Sequence, residues 1–199
     1  MDALNQLITA LRCLPGIGPR SAQRMAYHLL QRQRQRQRGL HLAACLQYAM
    51  EAIKHCQRCN NYTEDELCLL CQDKERDLSV LCIVENPADV LAIEQSDAYR
   101  GGYFVLMGKI SPLDGIGPDE IGLPRLENLI LSEGIKEVIL ALSPSIEGQT
   151  TTHFISELLR PHSIKVSQLA HGIPSGGELE FMDGITISSA LRNRAELND

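Results

Sequence analysis

No stretch of the sequence approaches about 18 uninterrupted apolar residues, and the opening Met1-Asp2-Ala3-Leu4-Asn5 carries an acid where a secretory signal would carry cations. Membrane spanning and export are therefore expected to be absent, and the chain is expected in a reducing cytoplasm. Tryptophan is missing, and 15 glycines and 9 prolines in 199 residues are too few for a collagenous or disordered chain. A phosphate loop of the form G-x-x-x-x-G-K-[ST] is missing too. Gly102 and Gly108-Lys109 come nearest to it, but five residues separate the glycines and Ile110 follows the lysine. What is present, 44% apolar and 22% charged residues, fits a folded globular protein with one core plus a small module.

Net charge is −6, and the average hides a split. Residues 1–60 hold nine cations against Asp2 and Glu51, a net of +7, which leaves ten cations and 23 acids, a net of −13, for residues 61–199. A basic end suits a polyanion, whereas an acidic end suits a basic protein or a metal ion.

Seven cysteines in a reducing compartment point to metal ligands and buried thiols rather than disulfides. Cys56-x2-Cys59-x8-Cys68-x2-Cys71 is the strongest motif. Each C-x2-C turn aims two thiolates at one point, and two such turns supply the closed tetrahedral shell of a structural zinc, about one per chain. Cys13, Cys45 and Cys82 are expected to be small hydrophobes on apolar faces.

Residues 3–12 and 20–30 read as amphipathic helices around Leu14-Pro15-Gly16-Ile17-Gly18-Pro19, a helix, hairpin and helix. Backbone amides of the Gly16–Gly18 hairpin and of the following helix start suit a DNA phosphate, and Arg20 and Arg24 lie four apart on one face beside them. This contact implies no base readout. The Gln31 to Arg38 alternation carries no apolar period, so it reads as the exposed end of the second helix plus a linker, its arginines a rival phosphate contact. Residues 40–53 form a third helix. Leu113-Asp114-Gly115-Ile116-Gly117-Pro118 copies the hairpin but leads into Asp119 and Glu120, which cap a helix and repel phosphate.

From residue 78 apolar runs at 78–84, 103–107, 138–142 and 166–170 alternate with helical patterns near 88–96, 119–133 and 147–160. That rhythm predicts an α/β domain with a mainly parallel sheet and ligands at the carboxyl ends of its strands. Glu85 and Ser143-Pro144-Ser145-Ile146-Glu147-Gly148 fall at such ends. Two acids are too few for metal-assisted phosphoryl chemistry, so Glu85 and Glu147 are expected to face a basic protein partner. The run Leu179-Glu180-Phe181-Met182-Asp183 looks like a Walker B strand but, with no phosphate loop, reads as a structural strand end. A turn-rich tail finishes in a short helix with Arg192 and Arg194.

Taken in order, Leu14 to Pro19, the four cysteines, Val80 to Glu85, Ser111 to Pro118, Ile146-Glu147-Gly148 and His171-Gly172-Ile173-Pro174 resemble the RecR family of bacterial recombination mediators along essentially the whole chain. The resemblance implies a helix-hairpin-helix region over residues 1–54, a four-cysteine zinc finger over 55–77, a Toprim domain over 78–172 and a C-terminal strand/helix segment over 173–199. It implies a non-enzymatic role in recombinational repair, with RecO and RecF as partners in loading RecA onto single-stranded DNA. It also implies homo-oligomeric rings around DNA, single-stranded or duplex and of any sequence, with Arg20 and Arg24 at the family's DNA-contacting positions. Two departures stand out. Catalytic Toprim enzymes carry Asp-x-Asp where this chain has Ser143-Pro144-Ser145, and relatives often carry a second acid where it has Gln149. The rivals are a metal-dependent Toprim nuclease or topoisomerase-like enzyme and a pure protein adaptor.

Overall fold

The computed structural model describes residues 2–194 apart from Ser163, His171 and Ser175, and the chain divides into two units, Met1–Ile53 and Lys54–Asp199. His171 of the expected motif and residues 195–199 of the expected tail lie outside the described residues.

In the first unit the Asp2 carboxylate accepts the Asn5 amide at 2.8 Å and so starts α1 (Ala3–Leu11). A turn follows, closed by the Ile17 N–H donating to the Leu14 carbonyl at 3.2 Å, with Gly16 at φ 77°. That left-handed backbone is what a residue without Cβ supplies. Gly18 is extended and stands just before α2 (Pro19–Leu30), whose first position takes proline without losing a hydrogen bond. Ala22 and Ala26 are fully buried.

Gln33–Arg38 are not linker: they form the opening turns of α3 (Gln33–Ala52). Glutamine and arginine are good helix formers without any apolar period. The break from α2 is made by Arg32 in extended backbone, and Arg36 Nε donates to the Leu30 carbonyl at 3.2 Å. Cys13 and Cys45 are exposed, against expectation; α3 fully buries none of its residues, so its apolar face gives Cys45 no cover.

The second unit opens with β1 (Lys54–His55) paired antiparallel to β2 (Tyr62–Thr63), then a one-turn α4 (Leu69–Gln72). Next come β3 (Asp77–Val84), α5 (Pro87–Gln95), β4 (Gly101–Val105), α6 (Leu123–Ser132), β5 (Glu137–Ala141), α7 (Ile146–Leu159), β6 (Lys165–Gln168) and α8 (Gly184–Arg192). The sheet order is β4-β3-β5-β6, parallel throughout. Alternation sorts its side chains. Leu81, Ile83, Phe104, Val138 and Leu140 join Leu126, Ile130, Ile155 and Leu159 of α6 and α7, while Cys82, Val84, Tyr103 and Val105 pack with Val90 of α5.

Two local readings are corrected. Residues 119–122 are a turn: Glu120 folds back to accept the Gly117 N–H at 2.9 Å, and Gly122 at φ 75° starts α6 four residues later than its acids suggested. Leu179–Phe181 is a short 3₁₀ turn rather than a strand end. The aspartate that mimicked a Walker B residue, Asp183, caps α8 by accepting the Ile185 and Thr186 amides, each at 2.9 Å.

Candidate nucleic-acid interface and metal centre

In the first unit Arg20 and Arg24 lie on one exposed face of α2 and, with Gln23, Tyr27, His28 and Gln31, line a shallow concavity. Gly18 has no side chain with which to cap α2, so the amides after Pro19 are left for an outside acceptor. Among the described residues none of Arg20, Arg24, Arg32, Arg34, Arg36 or Arg38 makes an ion pair. The two acids of this unit are engaged elsewhere, Asp2 with Asn5 and Glu51 with the Gln47 amide at 3.0 Å. The positive charge is thus uncompensated within the unit.

Arg58 does not belong to that surface, although its position in the basic end suggested it. It is buried, and its guanidinium forms an ion pair with Glu133 at 2.7 Å. Burial works against its charge, but the hydrogen bonds it donates to Glu133 and Cys71 outweigh burial and raise its pKa.

Cys56, Cys59, Cys68 and Cys71 bring their sulfurs within 4.8 Å of one another. A tetrahedral zinc with bonds of about 2.3 Å holds its sulfurs about 3.8 Å apart. The backbone prepares this: the Asn60 N–H donates to the Cys56 carbonyl at 3.0 Å, the Cys71 N–H to the Cys68 carbonyl at 3.0 Å, and the Cys68 N–H to the Cys56 sulfur at 3.3 Å. Hydrogen bonding to Cys68 and Cys71, together with burial, pushes Cys59 far above the ordinary thiol range, and bonds from Cys59 and Cys71 pull Cys68 far below it. Thiols this close cannot all ionise unaided, and a divalent cation is what lets them. The residues fit zinc. Nearby His55 is engaged with the Asn60 carbonyl at 3.0 Å, and its ring packs at a 44° tilt against Tyr62.

At the carboxyl ends of the sheet Glu85 follows β3 and is turned inward. One of its oxygens accepts the Ser143 N–H at 2.5 Å, and the other lies 3.5 Å from Lys109 Nζ. Lys109 Nζ also donates to Ser143 Oγ at 3.2 Å and Ser145 Oγ at 3.3 Å. Glu147 lies in the first turn of α7, where its own amide, then the Ser145 hydroxyl, hold its carboxylate below the ordinary range. Of the two acids expected on a partner-facing surface, Glu85 is 13% exposed and committed, and Glu147 is half-buried at the start of α7.

Lys109, Asn60 and Arg125 escaped sequence reasoning. Lys109 figured only in a failed phosphate loop, yet it follows a strand just as Glu85 and Ser143 do, and the strand-end rule could have found it.

Family models match the chain in the same order: the RecR helix-hairpin-helix over residues 4–50, the RecR zinc finger domain of the four-cysteine type over 53–73, the Toprim domain over 79–170 and the RecR C-terminal region over 172–195. Relatives called "Recombination protein RecR" from Legionella pneumophila strains Corby, Lens and Paris are each 69% identical over 198 residues, covering 100% of both chains. Among the described residues no helix is long and apolar enough to cross a membrane.

Proposed function

Because this chain belongs to the RecR family of recombination proteins, we propose that it is a non-enzymatic, DNA-binding mediator of recombinational repair that acts in the cytoplasm. The Gly16–Gly18 hairpin and the start of α2 take the phosphate backbone, with Arg20 and Arg24 as its cations. Single-stranded and duplex DNA are both substrates, without regard to sequence, since phosphate contacts position but do not read bases. The observation that carries this reading is the face with Arg20 and Arg24, unpaired beside an uncapped helix start. In this division of labour residues 1–54 grip DNA and 55–77 form the zinc module. Residues 78–172 form the Toprim body, completed by 173–199.

RecO-type and RecF-type proteins are the partners we assign, in loading RecA onto single-stranded DNA, and the net −13 of residues 61–199 supports a basic partner steered by charge. Glu147 is the acid to test there. A homo-oligomeric ring is the assembly that would hold DNA without reading it. Anisotropy of labelled single-stranded and duplex oligonucleotides of scrambled sequence tests the DNA contact, with the full chain and with Arg20→Ala plus Arg24→Ala. Loss of affinity for every sequence alike is expected. Undiminished binding by the double variant would overturn the assignment of these arginines, and a wild type that binds no DNA even at low salt would favour the pure adaptor.

A further inference from the structure

A divalent-metal site is what the Toprim fold invites one to look for at these strand ends, and with Lys109 in place the residues here do not fit one. A Mg2+ ion asks for carboxylate oxygens at about 2.1 Å in octahedral array. Among the described residues the acid that pairs with Lys109 is Glu85, and the Asp-x-Asp position offers the hydroxyls of Ser143 and Ser145, themselves 3.1 Å apart. The place for the ion is also taken. An ammonium has three N–H groups, and around Lys109 Nζ stand three oxygens: Glu85 Oε2 at 3.5 Å, Ser143 Oγ at 3.2 Å and Ser145 Oγ at 3.3 Å. The remaining acids nearby have ligands of their own. Asp114 accepts the Ser111 hydroxyl at 2.6 Å, and Glu147 is held by its amide and Ser145.

We propose that Lys109 is the resident cation of this site, standing where a metal would stand and closing it to divalent ions. The charge it supplies balances Glu85 and ties the segment after β4 to the ends of β3 and β5. That segment is anchored again one residue on, where the Ile110 N–H donates to Thr151 Oγ1 of α7 at 3.0 Å. A lysine tethered to the chain cannot exchange with solvent ions, so the charge of Glu85 is balanced at any Mg2+ concentration.

The test uses the full zinc-loaded chain without DNA, so its outcome is independent of the arginine face. Mn2+ binding is followed by electron paramagnetic resonance, and melting temperature is recorded with and without millimolar Mn2+. Wild type and Glu85→Gln should bind the same amount of Mn2+, with no shift in the wild-type melting temperature. Lys109→Ala leaves Glu85 and the two hydroxyls without a cation, and Mn2+ should raise its melting temperature by roughly 3 °C or more. Adding Glu85→Gln to that variant should abolish the rise. A Mn2+ site in wild type that Glu85→Gln removes would overturn the inference, as would a folded Lys109→Ala indifferent to Mn2+. Should Lys109→Ala not fold, the wild-type comparison with Glu85→Gln decides alone.

Discussion

Asn60 holds a left-handed backbone at φ 65°, and from it donates its side-chain amide to the Val105 carbonyl at 2.7 Å. The neighbouring Cys59 carbonyl accepts the Val105 N–H at 2.9 Å. Val105 ends β4, the outer strand of the sheet, so the zinc knuckle satisfies both backbone groups that an edge strand would otherwise expose. Arg125 of α6 completes the joint, donating to Asn60 Oδ1 at 3.0 Å and to the Cys56 carbonyl at 2.5 Å. Zinc site and sheet are one construction.

Asn60→Ala should lower stability by about 2 kcal/mol through lost hydrogen bonds and an additional ~1 kcal/mol from a left-handed alanine. Asn60→Gly should lower it less, because glycine keeps the backbone. Urea midpoints of the two variants, with zinc content measured alongside, check the ordering.

Metal analysis should find about one zinc per chain, and Cys56→Ala should lose it along with soluble yield. Chelation should reach the sheet as well as the knuckle. In hydrogen exchange the Val105 amide should lose protection on zinc removal, while Leu106, whose N–H donates to the Val84 carbonyl at 3.0 Å, should lose much less. Equal protection of Val105 with and without zinc would contradict the joint described above.

A Cβ on Gly148 would lie 2.1 Å from the Ser143 carbonyl oxygen, so α7 approaches the end of β5 more closely than any side chain allows. The carbonyl is backbone and a Cβ is fixed to its own Cα, so neither can swing aside. Gly148→Ala should cost about 2 kcal/mol or more by overpacking, read as a fall in thermal midpoint.

If the opening of α3 is a second phosphate contact, replacing Arg32, Arg34, Arg36 and Arg38 with glutamine should flatten the salt dependence of DNA binding. Each lost contact removes about 0.9 from the slope of log K against log salt for duplex and about 0.7 for single strands. If Arg20 and Arg24 alone carry the contact, the slope should stay with them, and a double-variant comparison separates the two.

Burial opposes ionisation of Glu94, but hydrogen bonds from Arg76 and Tyr103 outweigh it and set its pKa below the ordinary 4.5. The contribution is complete above the unfolded value and is lost as pH falls through the lower folded value. Acid titration of stability should therefore be steeper below about pH 4.5 for wild type than for Glu94→Gln, with the two curves converging as Glu94 is protonated. Parallel curves would show the Arg76–Glu94 pair to be without weight.

The sequence alone determined whatever depends on near neighbours. C-x2-C spacing sets the zinc turns, Gly16 permits the hairpin, and continuous apolar runs announce buried parallel strands, because each is a matter of backbone geometry over a few residues. Local signals misread segments where a short-range bond overrides the expected pattern, such as Glu120, drawn back to Gly117 three residues before it, and the Gln-Arg run, helical without an apolar period and pinned by Arg36 to Leu30. What only the tertiary structure decided are the meetings across long separations. Asn60 lies 45 residues from Val105, Glu85 58 from Ser143, Lys109 34 from Ser143 and Arg58 75 from Glu133. Strand order and the closeness of helix to strand set those pairs, and neither leaves a periodicity in the chain. A lysine therefore looks the same in the sequence whether it lies in solvent or is enclosed by a carboxylate and two hydroxyls.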